Sequence, residues 1–284
     1  MKGRRRIARG AWIALGSFLI LAYTLPPFFW IVVGSFTPEA IPDAQRAWSS
    51  ARSIQYFPEP TLQNYADLFG NTPFLLYLRN SIIVATGTMA LAGLVGSLAA
   101  YGFVRFRFAG RRSLLVAMLL AYMIPSVVLL VPLMVIFRKL GLIDTYAGLI
   151  LAETTGVAPF VMLLMINYFA ALPVELEEAA QVDGCTRLQA LVRVVIPLAV
   201  PGLVAGCLFA FIAAWNHFLF AFLFTSSNNT KTLPVILRQF ALGEPAVWGV
   251  STSAAVVTTL PVAILFLLFQ RLLIGGLSAG AVKG

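Results

Sequence analysis

Charge is what this sequence has least of. Only 11% of its 284 residues are Asp, Glu, Lys or Arg, where a soluble domain carries about a quarter. So few charges cannot cover a water-facing surface, which excludes an ordinary soluble globular domain. Acidic residues are the rarer sign, 11 against 20 basic ones, for a formal net charge of +9. In a soluble protein that excess would raise nucleic acid as a partner. Beside long apolar runs it marks the basic flanks of membrane spans instead, and no nucleic-acid partner is expected. The one histidine, His217, cannot build a histidine-cluster metal site. Two cysteines, Cys185 and Cys207, fall short of a disulfide framework. No phosphate loop, nucleophile elbow or zinc-protease pattern occurs. The expectation is therefore a chain with no catalytic residue, no metal and no cofactor of its own.

What the sequence has is oil: 60% of its residues are hydrophobic and its mean hydropathy is +0.90. A bilayer core needs about 20 apolar residues per helix. Six such runs are visible, at about 11–34, 81–103, 113–137, 146–171, 194–224 and 248–274. The first follows five basic residues, as a signal peptide would, but it continues through "AYTLPPFFWIVV" and has no small-residue cleavage site. It reads as an uncleaved span. Six spans place both termini on one side, and basic residues say which: 13 of the 20 fall on the side of the N-terminus. That side is the cytoplasm. The predicted fold is an all-α membrane protein in which residues 1–284 form a single transmembrane domain. Pro125, Pro132, Pro159, Pro201 and Pro261 lie within the predicted spans, where proline removes a backbone hydrogen bond and kinks a helix. Ala92, Gly96 and Ala100, four apart, form a small-residue face on which another helix can pack closely.

One polar stretch interrupts the second half, "EEAAQVDGCTRLQALVRVVIP", residues 177–197. Pro173 suits a first helical position. Glu175, Glu177 and Glu178 then suit the positive end of a helix dipole. Gly184 permits the left-handed turn that stops a helix. Thr186 and Gln189 form a Thr-x-x-Gln capping box that starts another. Leu188, Leu191, Val192 and Val195 fall at helical spacing on one apolar face. The pattern predicts two short helices bent at a glycine, on the cytoplasmic side between the fourth and fifth spans. A helix lying on lipid carries a basic polar face. This one is acidic, with three glutamates and Asp183, which suits a protein partner better than a membrane.

The same stretch resembles the EAA motif of ABC importer permeases: EAA, three residues, glycine, nine residues, then an aliphatic residue two before Leu/Ile-Pro. Glu178, Ala179, Ala180, Gly184, Val194, Ile196 and Pro197 occupy those positions. "PEPTLQNYADLF" before the second span resembles the outer-loop signature of carbohydrate importer permeases. "YGFVRFRFAGRR" resembles their first cytoplasmic turn. The ending "FQRLLIGGLSAGAVKG" resembles the tail of the second, six-span permease of maltose-type importers. The resemblance covers nearly the whole chain. It implies that the hairpin is a coupling helix docked to an ATPase subunit through Glu178, Ala179, Ala180, Asp183 and Gly184. It further implies that the tail, with Gly280, Val282, Lys283 and Gly284, meets the ATPases. The implied partners are a second homologous permease in a heterodimer, two ATPase subunits that bind ATP and Mg, and an extracytoplasmic solute-binding protein. The implied cargo is a sugar: an oligosaccharide, a disaccharide or a related polyol. The implied location is a bacterial or archaeal cytoplasmic membrane. The resemblance further implies that the loop at 226–247 is the counterpart of the loop that meets the solute-binding protein.

One departure stands out. Many relatives read Trp-Asn-Glu or Trp-Asn-Asp in the fifth span, and this chain reads Trp215-Asn216-His217. Intramembrane ionisable groups face a cavity, a pathway or another polar group. His217, with Trp215 and Asn216, is a candidate for the substrate path or for a bond between helices. Glu153, beside Thr154 and Thr155, is a second candidate for the path. Other readings compete. A secondary transporter would show inverted repeats and ion-coupling carboxylates, whereas acid is nearly absent from these spans. An importer permease for a non-sugar solute and a non-transporting scaffold are the remaining alternatives.

Overall fold

The computed structural model describes residues 2–38, 60–242 and 248–281, with side chains described over 12–38, 60–242 and 248–272. In chain order the helices are α1 (Lys2–Ser35), α2 (Gln63–Gly70), α3 (Phe74–Arg105), α4 (Arg111–Tyr122), α5 (Ser126–Lys139), α6 (Tyr146–Ala171), α7 (Glu175–Val182), α8 (Arg187–Ala190), α9 (Val200–Asn216), α10 (Phe218–Phe224), α11 (Leu233–Leu242) and α12 (Trp248–Ala281). Between α8 and α9 run a π-helical stretch, Leu191–Val195, and one short turn, Ile196–Leu198. No strand occurs among the described residues. In hydrocarbon a helix satisfies every backbone group internally, so an apolar chain of this composition folds as helices.

Among the described residues, four stretches are long and apolar enough to cross a bilayer: Trp12–Ser35, Phe74–Arg105, Tyr146–Ala171 and Trp248–Leu272. Two further stretches are bent pairs. Arg111–Tyr122 meets Ser126–Lys139 at 98°, and Arg187–Leu198 meets Val200–Asn216 at 83°. The third and fifth predicted spans therefore differ from straight helices. The third breaks at Met123–Pro125, and the fifth breaks at Ala199 and again at His217. Proline accounts for the first two breaks: Pro125 precedes α5, and Pro197 and Pro201 flank Ala199. Pro132, Pro159 and Pro261 sit inside uninterrupted helices.

The helices group into two compact units, residues 1–74 with 237–260, and residues 75–236 with 261–284. In the first unit, the "PTLQNYADLF" segment is tied to the end of α1. The Asn64 side-chain amide donates to the carbonyls of Ser35 (3.0 Å) and Thr37 (2.8 Å). The Tyr65 hydroxyl donates to Ser35 Oγ at 2.8 Å. In α12, Ser253 Oγ donates to the Ser35 carbonyl at 3.2 Å.

In the second unit, α9 lies along α6, and the small-residue face of α3 packs as predicted. Ala92 and Ala100 are fully buried. A Cβ added to Gly96 would come within 2.9 Å of Val161 Cγ1 and 3.1 Å of the Met162 nitrogen, so only glycine lets α3 approach α6 this closely. Apolar clusters among the described residues fill this unit. One joins Tyr101 and Phe103 to Val161, Met165, Phe169, Leu191 and Val195. Another joins Leu130 and Phe137 to Leu149, Phe220 and Phe224.

Candidate functional site

The polar stretch folds as the two short helices its sequence predicts. Gly184 has φ +89°, and its N–H donates to the Gln181 carbonyl at 3.0 Å while the Cys185 N–H donates to Ala180 at 3.0 Å. The capping box is complete: the Gln189 N–H donates to Thr186 Oγ1 at 3.3 Å, and the Thr186 N–H donates to Gln189 Oε1 at 2.8 Å. Two details differ. α7 starts at Glu175, two residues past Pro173. The apolar stripe is also split. Leu191 and Val195 are buried at 1%, but Leu188 is 62% exposed and Val192 55% exposed. The stripe assumed α-helical periodicity, and the wider π turn of Leu191–Val195 breaks that periodicity.

The expected docking residues share one surface. Glu178, Ala179, Asp183 and Gly184 are exposed and Ala180 is half-buried. Val182 stands beside them at 88% exposure. The tip is thus an acidic patch with bare aliphatic side chains, Val182 and Leu188.

Sequence reasoning missed how this hairpin is held. Glu177, adjacent to the motif, turns inward and is 3% exposed. Its Oε1 accepts from Nε of Arg105, at the end of α3, in a close ion pair. Its Oε2 accepts from the Tyr101 hydroxyl at 2.9 Å. Arg105 Nη2 also donates to the carbonyl of Leu172, just after α6, at 3.2 Å. The Arg187 guanidinium lies over the Phe106 ring, 5.4 Å from its centroid. The available signal was the run Glu175, Glu177, Glu178: at helical spacing Glu177 lies on a different face from its neighbour Glu178.

The intramembrane candidates are partly brought together. His217 Nδ1 lies 2.7 Å from Glu153 Oε2, joining α6 to the break between α9 and α10. The His217 ring also meets Phe220 edge-on at 4.8 Å. Trp215 is 2% exposed and stacked on Phe211. Asn216 is exposed, with its amide tied back to the Ile212 carbonyl at 2.8 Å. Thr154 and Thr155 donate to carbonyls of their own helix. In the tail, Gly280 lies in the last turn of α12, and Val282, Lys283 and Gly284 lie outside the described residues.

A second polar cluster surrounds the start of α6. Asp144, at φ +62°, accepts from the N–H groups of Ser226 (2.9 Å) and Ser227 (3.1 Å) and from the Thr230 hydroxyl. Burial works against its negative charge, but the bonds from Thr230, Ser226 and Ser227 outweigh burial and hold the carboxyl well below the usual range. Nearby, the Tyr146 hydroxyl donates to Asn80 Oδ1 at 2.6 Å, and the Asn80 amide donates to the Lys231 carbonyl at 2.9 Å. The part of the loop at 226–231 is therefore built into the helices rather than hanging from them. No cluster of metal-ligating side chains occurs among the described residues.

Fold and site together define a multi-pass helical membrane protein that presents an acidic, partly apolar hairpin between two of its apolar stretches. A family model described as "Binding-protein-dependent transport system inner membrane component" matches residues 92–278, and the chain belongs to that family. It is 38% identical over 285 residues to the inner membrane ABC transporter permease protein YcjP of Escherichia coli K12, covering 99% of each chain. It is 38% identical over 272 residues to the sulfoquinovosyl glycerol transport system permease protein SmoH of Agrobacterium fabrum, covering 95% of this chain and 93% of that one. It is 34% identical to the trehalose/maltose transport system permease protein MalG of Thermococcus litoralis, covering 99% of both. Its fold is similar to a chain in the crystal structure of a bacterial ABC transporter involved in the import of the acidic polysaccharide alginate. The TM-score is 0.76 at 24% identity, over 95% of this chain and 98% of that one.

Proposed function

We propose that the chain is the permease subunit of an ATP-driven sugar importer, and that it carries mechanical work rather than chemistry. The observation that supports this most is the hairpin tip. Glu178, Asp183 and Gly184 lie exposed beside Val182, which is 88% exposed, on an element fastened from beneath. A bare aliphatic side chain among carboxylates suits a protein groove with a basic rim. The names of the relatives, which are permeases of trehalose/maltose and sulfoquinovosyl glycerol systems, support a sugar as cargo.

In this reading each bent pair counts as one span, making six, with both termini in the cytoplasm. A second permease completes the pathway. Two ATPase subunits, which bind the ATP and Mg, grip the hairpins and are touched by the tail at 280–284, and a solute-binding protein delivers sugar from outside. Glu153 and His217, joined across α6 and α9, lie beside the path with Asn216 and Trp215. ATP shifts the pathway only by binding one state better than the other. Inverting a 99:1 preference takes about 5.5 kcal/mol.

Two variants test the docking surface. Glu178→Lys reverses a charge on the tip. Gly184→Pro is incompatible with the φ of +89° that this turn uses. Both are expected to lose the ATPase subunit in a pull-down of the detergent-solubilised permease while the protein stays in the membrane. Full retention of the ATPase by both variants rejects the docking role.

A further inference from the structure

We infer that Arg105 and Glu177 form the joint through which movement of the hairpin reaches α3 and α6. Four observations carry this. First, the pair is buried, with side-chain exposures of 12% for Arg105 and 4% for Glu177. Water therefore neither screens nor replaces the bond, unlike a surface ion pair. Second, both carboxylate oxygens of Glu177 are committed, one to Arg105 and one to the Tyr101 hydroxyl at 2.9 Å. Third, Arg105 spends a second donor on the carbonyl of Leu172 at 3.2 Å, so one guanidinium holds α3, the end of α6 and α7 together. Fourth, the other arm of the hairpin is held to the same segment, through Arg187 over Phe106. Tyr101 also meets Phe169 of α6 edge-on at 6.3 Å.

A hairpin hinged freely on its connections would swing without moving the helices. This one is bolted at both arms to residues 101–106. Any force applied at Glu178 or Asp183 passes through Glu177, one residue from the docking surface, into the end of a 32-residue helix. Glu178 faces the partner and Glu177 faces the protein's own core, so adjacent carboxylates divide gripping from transmission. Arg105 and Glu177 are positioning residues and touch no substrate.

This rests on the docking reading above, and the experiment separates the two. The permease complex with its cognate ATPase is reconstituted in liposomes, and ATP hydrolysis is measured with and without the cognate solute-binding protein. Glu177→Gln removes the charge and keeps the shape. It is expected to retain the ATPase subunit within twofold of wild type while stimulation by the binding protein falls at least tenfold. Arg105→Met with Glu177→Met removes the joint without stranding a buried charge, so it folds even where the single variant does not. It is expected to give the same split. Wild-type stimulation in the double variant, or in Glu177→Gln, overturns the joint. Loss of the ATPase from either variant also overturns it, because Glu177 would then belong to the docking surface. Failure of the docking reading looks different: Glu178→Lys would keep the ATPase.

Discussion

The two ends of α6 are each fixed by one carboxylate, and they are fixed differently. At the start, Asp144 is held by two backbone N–H groups and a hydroxyl. At the end, Glu177 is held by a guanidinium that also bonds the carbonyl of Leu172. A carboxylate gathered by neutral donors from 226–230 pins a loop in place. A carboxylate paired with an opposite charge on another helix joins helices. α6 spans 26 residues, about 39 Å at 1.5 Å per residue, so these ends are a bilayer apart. One end fixes a loop, and under the joint proposed above the other conveys motion. Each carries the carboxylate that its task requires.

The comparison breaks most readily at Arg105. Arg105→Ala leaves Glu177 buried with a hydroxyl and no cation. Breaking a buried pair from one side costs about 3–5 kcal/mol. Thermal unfolding of the purified permease in detergent reads the loss. A cost under about 1 kcal/mol would mean that water reaches Glu177, and the contrast between the ends would disappear.

The middle of α6 offers a smaller effect. Glu153→Leu leaves the half-buried His217 ring without its described carboxylate partner, and losing such a hydrogen bond costs about 1 kcal/mol. Glu153→Gln keeps an oxygen within reach of His217 Nδ1 and is expected to cost less than half as much in the same unfolding measurement. Equal losses for the two variants would show that charge, and not the hydrogen bond, holds α6 to the break at His217.

Local chemistry made much of this legible in the sequence. Capping signals, the glycine turn and the small-residue face depend on neighbours a few residues away, so Thr186–Gln189, Gly184 and Ala92–Gly96–Ala100 are found where they are read. Length and hydropathy located the apolar stretches. Breaks were harder, because a proline inside a span ends the helix in one context and is tolerated in another. Pro125 caps the start of α5 whereas Pro159 lies inside α6, and the residue type alone does not separate the two. The joint was least legible. Arg105 and Glu177 are 72 residues apart, and neither local motifs nor a count of charges on each side of the membrane pairs them. Likewise Leu188 and Val192 read as one apolar face with Leu191 and Val195 because the pattern assumes α-helical periodicity, which the π turn at Leu191–Val195 breaks.

The smallest effect concerns the loop end and depends on pH. The hydrogen bonds from Thr230, Ser226 and Ser227 hold the Asp144 carboxyl below its usual range despite burial. A carboxyl whose folded value is depressed contributes stability that is fully present above its unfolded value, about 3.9. That stability is lost progressively as pH falls from there through the lower folded value. Between pH 8 and pH 5 the knot is therefore constant. Asp144→Asn replaces a charged acceptor by a neutral one that accepts more weakly. The expected cost is about 1 kcal/mol, discounted for the half-exposed position. The Tm difference between wild type and Asp144→Asn is expected to stay level from pH 8 to pH 5 and to narrow below pH 4, as the unfolded wild-type chain takes up a proton at this position and the variant cannot. A difference that already closes between pH 6 and pH 5 would put the Asp144 carboxyl above the ordinary range. The neutral donors would then not be holding a charge, and the loop would be fixed by packing alone.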